Sequence, residues 1–262
     1  MPALDEVNAA NISHAGAVAD YAGRSGFDAA EAAVLDLLEG DIRGRPILDL
    51  GVGGGRTTPG LRALSTDYVA IDYSREMVAA CRARHPGVDV RLGDVRDLSA
   101  LPRDHFGFVL FSCNGLGMLG HDDRLVALAE IRRVLAPGGA FAFSTHNLDS
   151  PANHRRFVLP ELRLARNPLR SAIRTLRFAR STVRRAINRM RHRRHELRYG
   201  DWAILNSESL DYGTLLYHVT LDEARRQLAA AGYAPGVKAY DLAGAEILHA
   251  TTDDSILYVA RR

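Results

Sequence analysis

A glycine-rich loop that follows a short apolar run constrains the fold of this sequence most. The run Ile47–Leu50 leads into a loop with glycine at every second position: Gly51, Gly53 and Gly55. Glycine is needed where the backbone turns sharply and lies against a ligand, because a Cβ atom would block both. Arg56 stands where a dinucleotide-binding fingerprint requires glycine or alanine. The pattern predicts a strand, a ligand-binding turn and a helix.

Acidic residues follow the next two predicted strands. Asp72 ends the second apolar run and Asp94 follows the third, while Ser74 is placed to cap the helix after the second. Open α/β sheets bind ligands at the carboxyl ends of their strands, so Asp49, Asp72 and Asp94 are expected at one edge. Each acid alone could simply cap a helix, but three in succession indicate a binding site. The later runs are Tyr68–Ile71, Val88–Leu92, Phe106–Phe111 and Ala140–Ser144.

The loop from Asp49, D-x-G-x-G-x-G, resembles motif I of the class I S-adenosylmethionine-dependent methyltransferases. The phrase R-V-L-x-P-G-G at 133–139 is also characteristic of that family. The resemblance covers roughly residues 45 to 147, with five blocks in the family's order. It implies a Rossmann-like, doubly wound α/β sheet of seven strands, the last antiparallel. The implied cofactor is S-adenosyl-L-methionine, with S-adenosyl-L-homocysteine as product.

The resemblance also implies roles for individual residues. Asp72 would bind the ribose diol, Asp94 the adenine amino group, and the Val95 amide the adenine ring. Tyr21 and Arg24 resemble an N-terminal segment that closes over the cofactor, although ordinary surface positions fit them equally well. The full set of expected cofactor-binding residues is Asp49, Gly51, Val52, Gly53, Gly55, Arg56, Asp72, Tyr73, Met77, Asp94, Val95, Ser112, Asn114, Tyr21 and Arg24.

Four segments are predicted along the chain. Residues 1–44 form an N-terminal helical lid, 45–147 the cofactor-binding core, 148–219 a cap inserted after the fifth strand, and 220–262 the rest of the core sheet. Within the cap, the runs 201–205 and 212–219 are typical of an antiparallel hairpin. The motif T-x-D-E from Thr220 predicts the start of a helix.

Composition and cysteine content indicate a packed core, a cytoplasmic location and no metal site. The 262 residues are 47% apolar, which suffices for a packed core, and no apolar run reaches the length of a membrane span. The N-terminus lacks a charged-then-apolar signal, so we expect a cytoplasmic protein. Two cysteines, Cys81 and Cys113, provide neither a disulfide framework nor a metal cluster, and we predict no metal.

Charge is distributed unevenly along the chain. Residues 155–198 contain fifteen arginines and two acids, whereas the whole chain has a net charge of only +3. Asn167 and Pro168 predict the start of an amphipathic helix, Arg-rich on its polar face. Three interpretations stay open: a solvated basic face, an anionic ligand, or peripheral attachment to an anionic membrane. The apolar positions are Leu169, Ile173, Leu176, Val183, Ile187 and Met190.

Methyl transfer from a sulfonium is an in-line displacement, so positioning supplies much of the rate. A hydroxyl acceptor must lose its proton during attack, and histidine is the usual base, whereas an amine can lose it afterwards. His146, just beyond the fifth strand, is the first candidate, with His218 and His121 as alternatives. A strand-end histidine bonded to backbone is an equally good description of His146. Candidates for orienting the acceptor are Asn147, Tyr217 and Trp202.

The sequence favours methylation of a small-molecule or sugar hydroxyl, with an anionic or lipid-linked acceptor suggested by the arginines. Small-molecule N-methylation stays open. Few aromatics lie among the arginines and no N-P-P-Y motif follows the fourth strand, which argues against RNA methylation and nucleic-acid binding. A non-catalytic cofactor-binding module would more often have lost part of the loop. Assembly as a homodimer is left open.

Overall fold

The computed structural model describes residues 4, 7–8, 23–154, 157–162 and 165–262. Residues 1–3, 5–6 and 9–22 of the predicted N-terminal lid, including Tyr21, lie outside the described residues. The helices are α1 (Ala29–Ile42), α2 (Thr58–Leu64), α3 (Arg75–Arg84), α4 (His121–Val134), α5 (Pro168–His192) and α6 (Leu221–Ala230). The strands are β1 (Ile47–Leu50), β2 (Tyr68–Asp72), β3 (Asp89–Leu92), β4 (Phe106–Phe111), β5 (Leu135–Asn147), β6 (Leu197–Tyr199), β7 (Trp202–Ser207), β8 (Thr214–Val219), β9 (Lys238–Tyr240) and β10 (Ser255–Arg261). Short 3₁₀ turns occupy Gly115–Met118, Pro151–His154 and Arg193–His195.

Seven of the strands form the predicted doubly wound sheet, in the order β3-β2-β1-β4-β5-β10-β9. The pairs from β3 to β5 are all parallel, and β10 is antiparallel to both of its neighbours, β5 and β9. This confirms the predicted fold class with an antiparallel last strand. Because the order reverses between β1 and β4, a crevice opens at the carboxyl ends of these strands.

Helices cover both faces of the sheet. Buried residues of α1, α2 and α3 pack in one core, and those of α4 and α6 pack in the other. In β4, Phe108 and Leu110 enter the first core, while Val109 and Phe111 enter the second. A strand buried on both faces reads as a continuous apolar run rather than an alternating one, which explains the sequence F-G-F-V-L-F.

The remaining strands extend the sheet beyond the carboxyl end of β5. β8 pairs with β5 only at His218 and Val219, opposite His146 and Asn147. β7 is antiparallel to β8, as predicted for the hairpin, and β6 adds a further antiparallel strand that the sequence pattern did not predict. β5 also begins five residues before the expected Ala140, because Leu135 already pairs with Phe106 before a register shift.

A left-handed turn at Ser209–Tyr212 connects β7 to β8. Leu210, Asp211 and Tyr212 have φ values of 49°, 58° and 60°, a conformation that costs a side-chain-bearing residue about 1–2 kcal/mol. The buried Asn206 amide donates to the carbonyls of Tyr212 (2.9 Å) and Thr214 (2.8 Å) and holds the turn. Tyr212, expected at the start of a strand, lies in this turn instead.

Candidate functional site

The glycine loop between β1 and α2 brings bare backbone to the edge of the sheet. Gly51 has φ +62°, and a Cβ there would approach the Phe111 ring to 2.6 Å. Gly53 has φ +55°, and a Cβ there would meet no atom within 4 Å, so its surface faces open space. Gly51 therefore serves packing, whereas Gly53 leaves room for a ligand against the main chain.

A cavity of about 310 Å³ lies in front of this loop, at the carboxyl ends of β1, β2, β3 and β4. Eleven of the residues predicted to bind the cofactor line it, together with Asn8 and Met118, which the sequence did not indicate. The eleven are Arg24, Gly51, Val52, Gly53, Arg56, Asp72, Tyr73, Met77, Asp94, Val95 and Ser112. Asp49, Gly55 and Asn114 lie outside the lining.

Asp72 at the end of β2 joins the glycine loop to helix α3. Its Oδ2 accepts from the Gly53 amide and its Oδ1 from the Ser74 amide, each at 2.8 Å. Burial raises the pKa of this carboxyl, while the amides of Ser74 and Gly53 oppose the rise. A carboxylate oxygen has two lone pairs, so Asp72 can still accept hydrogen bonds from a diol in the cavity.

Asp49 lies beneath the loop rather than in the cavity. Its Oδ2 accepts from the hydroxyls of Thr57 and Tyr68, both at 2.7 Å, and its Oδ1 has no partner among the described residues. Burial raises the pKa of Asp49 to about 6, against the effect of the two hydroxyls. In the structure this carboxyl fixes the path of the loop into α2.

Asp94, after β3, lies beside an arginine that the sequence did not single out. Arg96 contacts the Asp94 carboxylate through its amide (2.8 Å) and through its guanidinium (2.6 Å), and it also reaches Asp123 at 3.0 Å. Burial would raise the pKa of Asp94, but the bonds from Arg96 outweigh it and lower the pKa. Asp94 is therefore ionised and held in place at the cavity wall.

A buried ion pair lies behind the cavity lining at Arg56 and Ser112. Arg56 donates to both carboxylate oxygens of Glu31, at 2.8 and 2.7 Å, and Ser112 also donates to Glu31. Burial would raise the pKa of Glu31, but the bonds from Arg56 and Ser112 lower it. Glu31 belongs to a capping box with Asp28 at the start of α1, and that D-x-x-E pattern is the only sequence signal that could have drawn attention to it.

The two predicted catalytic histidines lie side by side where β5 meets β8. The rings of His146 and His218 stack with centroids 4.8 Å apart. Burial lowers the pKa of His146 to about 4, with Asp254 opposing and Arg124 reinforcing this effect, and burial also lowers the pKa of His218. Both are therefore neutral at pH 7. Neither lines the cavity, but His146 packs against the turn Gly115–Met118, whose ends do.

The other predicted acceptor residues fall into two places. Tyr217 and Trp202 stack with His121, and the Tyr217 hydroxyl lies 2.8 Å from His121 Nδ1 and accepts from Gln227. Asn147 is buried, and its amide donates to carbonyls in the 251–253 loop. These side chains border β5 and β8, away from the cavity lining. Asn114 also lies beside β5, where its backbone N–H donates to the Ser144 hydroxyl at 2.8 Å.

No group of three or more potential metal-ligating side chains occurs among the described residues. In the same part of the chain, no helix has the length and apolar content that crossing a bilayer requires.

The fold and the cavity together define a class of protein. A doubly wound sheet with an antiparallel last strand places a bare glycine loop, a carboxylate after β2 and another after β3 around one crevice. That arrangement suits a nucleoside-containing ligand, because backbone can approach it closely while carboxylates bind hydroxyl and amino groups.

Comparisons with known proteins agree with this class. A methyltransferase-domain family model matches residues 47–139. A malonyl-[acyl-carrier protein] O-methyltransferase of Erwinia billingiae is 35% identical over 127 residues, 48% of this chain and 46% of the relative. A ubiquinone biosynthesis O-methyltransferase of Xanthomonas oryzae is 33% identical over 112 residues, 41% of this chain and 45% of the relative. The matched segment thus spans about half the length of these relatives.

Solved structures resemble the whole fold at lower identity. A methyltransferase from Mesorhizobium loti superposes with a TM-score of 0.59 at 21% identity, over 89% of this chain and 98% of the other. An amino pentose methyltransferase from Micromonospora echinaspora gives 0.55 at 20% identity, over 97% and 95%. Residues 47–139 thus match a methyltransferase-domain family, and the fold resembles that of S-adenosylmethionine-dependent methyltransferases over most of the chain.

Proposed function

We propose that this protein transfers a methyl group from S-adenosylmethionine to a hydroxyl of a small-molecule or sugar acceptor. The observation that carries the proposal is the cavity itself, in which the open backbone at Gly53 lies beside the Asp72 carboxylate. The cofactor supplies an electrophilic methyl group on a sulfonium. Several relatives are named O-methyltransferases, which supports oxygen as the acceptor atom.

The residues of the cavity fit the cofactor chemically. Asp72 would accept from the ribose hydroxyls and Asp94 from the adenine amino group, while the loop at Gly53 would allow close approach of the main chain. Arg56, which lines the cavity and is held by Glu31, would face the polar methionine end. Carboxylate acceptors and amide and guanidinium donors of this kind match the hydroxyl, amino and charged groups of the cofactor.

His146 would act as the general base for the acceptor. As the acceptor oxygen bonds to the methyl carbon and the carbon–sulfur bond breaks, His146 would take the hydroxyl proton, leaving an ether and an imidazolium. Its pKa of about 4 keeps the imidazole neutral and ready at pH 7. Once methylated, the acceptor oxygen carries a positive charge, and its proton is far more acidic than that of the imidazolium. Transfer of this proton to His146 is therefore favourable.

The acceptor would carry negative charge or a lipid. The arginine excess in residues 155–198 supports this, since a basic surface raises the local concentration of an anionic substrate. His218, Asn147, Tyr217 and Trp202 would shape the acceptor side through their packing around β5 and β8. Methylation of an amine is the competing outcome, because an amine needs no base during the transfer.

Calorimetry with S-adenosylmethionine and S-adenosylhomocysteine tests cofactor binding. Asp72→Asn keeps the shape of the side chain but removes its charge, and should weaken both affinities by about tenfold, near 1.4 kcal/mol. Asp36→Asn, at an exposed position of α1, is the control and should bind normally. Unchanged affinity in a folded Asp72→Asn protein would remove the ribose assignment.

Methyl transfer from a radiolabelled donor to a panel of phosphorylated or lipid-linked hydroxyl compounds, each with a matching amine, tests the reaction. His146→Ala should lower kcat on a hydroxyl by on the order of 10²-fold or more and leave cofactor affinity nearly unchanged. His105→Ala, at an exposed position, is the control. Transfer only to amines, or normal turnover of His146→Ala on a hydroxyl, would overturn the role of His146.

A further inference from the structure

Helix α5 is turned with its apolar side away from the protein. The side chains of Leu169, Leu176 and Met190 are 70%, 71% and 73% exposed. At 3.6 residues per turn, the apolar positions fall within an arc of roughly 100°. Ile173, Val183 and Ile187 complete this outer stripe and are also exposed. A stripe of this regularity is normally buried, so its exposure needs an explanation.

Polar contacts fix the helix in this orientation. Asp211, in the left-handed turn, accepts from the Ser181 hydroxyl at 2.7 Å and from Arg185 Nε at 3.0 Å. Asn188 donates to the Asp211 carbonyl at 3.0 Å, and the Arg189 guanidinium lies over the Tyr212 ring. Since the polar side is anchored to the protein, the outer stripe is a built surface rather than a chance arrangement.

Positive charge borders the outer stripe. Helix α5 contains eight arginines and no acidic residue. Arg177 is exposed at one edge of the stripe and Arg180 is exposed within it, whereas Arg184, Arg185 and Arg189 reach carboxylates of the protein. The outward surface is therefore an apolar band with cations at its border and one cation within it.

We propose that this surface docks the protein on an anionic lipid bilayer. A helix lying in the membrane interface places its apolar stripe at the level of the acyl chains and its basic residues among the phosphates. The outer stripe of α5 has both parts, on a helix about 37 Å long. The inference does not depend on methyl transfer, although it would bring the cavity to a lipid-linked acceptor.

A second copy of the chain fits this surface less well. In an antiparallel pair of helices related by a two-fold axis, the same edge of each stripe meets its own copy. Arg177 and Arg180 on this surface would then face the same arginines of the second copy, with no carboxylate on the helix to compensate. Phosphate groups of an anionic bilayer provide the missing negative charge.

Vesicle flotation tests the proposal with the full chain and without any substrate. We expect the protein to float with phosphatidylcholine vesicles that contain phosphatidylglycerol, and on the order of tenfold less with phosphatidylcholine alone. Raising the salt should release it, because exposed charges are screened beyond about 8 Å at physiological ionic strength.

Matched variants separate the two parts of the surface. Leu176→Glu should reduce flotation by on the order of tenfold, and Leu248→Glu, at a position 68% exposed elsewhere, should not. The double variant Arg177→Glu with Arg180→Glu should also reduce flotation by on the order of tenfold. Its control is the pair Arg62→Glu and Arg103→Glu, which changes the charge by the same amount at exposed positions outside α5 and should float normally. Unaltered calorimetric affinity for S-adenosylhomocysteine would show that each variant is folded.

Two results would overturn the proposal. One is flotation that depends on neither phosphatidylglycerol nor the α5 variants. The other is a concentration-dependent dimer in sedimentation velocity that Leu176→Glu dissociates, because the outer stripe would then bind a second copy. Loss of methyl transfer with intact flotation would leave the docking surface standing and count against the proposed function alone.

Discussion

The central sheet and helix α5 bury opposite kinds of side chain. β4 and β5 turn aromatic and aliphatic residues such as Phe108 and Phe141 into fully buried cores. Helix α5 instead turns Ser181, Arg185 and Asn188 to the protein and leaves its apolar stripe outside. The difference shows that amphipathicity gives a helix two sides but does not say which one faces the chain.

Loss of an apolar side chain should destabilise the protein strongly in the central sheet and hardly at all on α5. Phe141→Ala, in the centre of β5, should lower the free energy of unfolding by about 3–5 kcal/mol, because it leaves a cavity in a fully buried core. Leu176→Ala, on the outer stripe of α5, should change it by less than about 0.5 kcal/mol. Urea unfolding followed by circular dichroism measures both. A large loss in Leu176→Ala would mean that the stripe is covered in solution.

The junction of β5 and β8, where His146 stacks on His218, should be sensitive to acid. The folded protein holds the pKa of His146 near 4, whereas the ordinary value is 6.5. As pH falls below 6.5, His146 takes up a proton in the unfolded chain before it does so in the folded protein. The free energy of unfolding that this histidine contributes above pH 6.5 is therefore lost progressively toward pH 4. By pH 5 the loss from His146 should be about 2 kcal/mol.

His146→Asn should remove that part of the loss and make the stability curve less steep between pH 7.5 and pH 5, while His218, whose pKa burial also lowers, is present in both proteins. Burial raises the pKa of Asp49 to about 6, which acts in the opposite sense, but this contribution is common to both proteins and cancels in the difference. Urea midpoints at the two pH values give the measurement. Parallel curves for the two proteins would show that His146 is well hydrated rather than buried.

Loss of the anchor of α5 should have only a small effect on global stability. Asp211→Asn removes the charge that faces Arg185 and should cost about 1 kcal/mol, since the group is partly exposed. The local effect should be clearer, with faster tryptic cleavage within α5, whose arginines would become accessible. Asp36→Asn should leave cleavage unchanged. If Asp211→Asn is cleaved at the normal rate, other contacts hold the helix.

The parts of the cavity that could be predicted from the sequence follow from short stretches of the chain. The loop at Gly51 and Gly53 and the strand-end position of Asp72 could be predicted, because turn chemistry and strand ends are local properties. The ion pair between Glu31 and Arg56 could not, because its partners are 25 positions apart and meet only when α1 packs beside the loop. The stack of His146 on His218 depends likewise on the pairing of β5 with β8.

The sequence by itself determined the order of the strands and helices of the core, the glycine loop, the acid at or near the end of each of the first three strands and the existence of an amphipathic helix near residue 168. These follow from periodicity and turn chemistry, which act over a few residues. Tertiary structure alone decided that Glu31 pairs with Arg56 beside the glycine loop, that the two histidines are stacked and buried where their pKa values fall, and that α5 turns its apolar side outward. Each depends on burial and on contacts between distant segments, and only packing creates these.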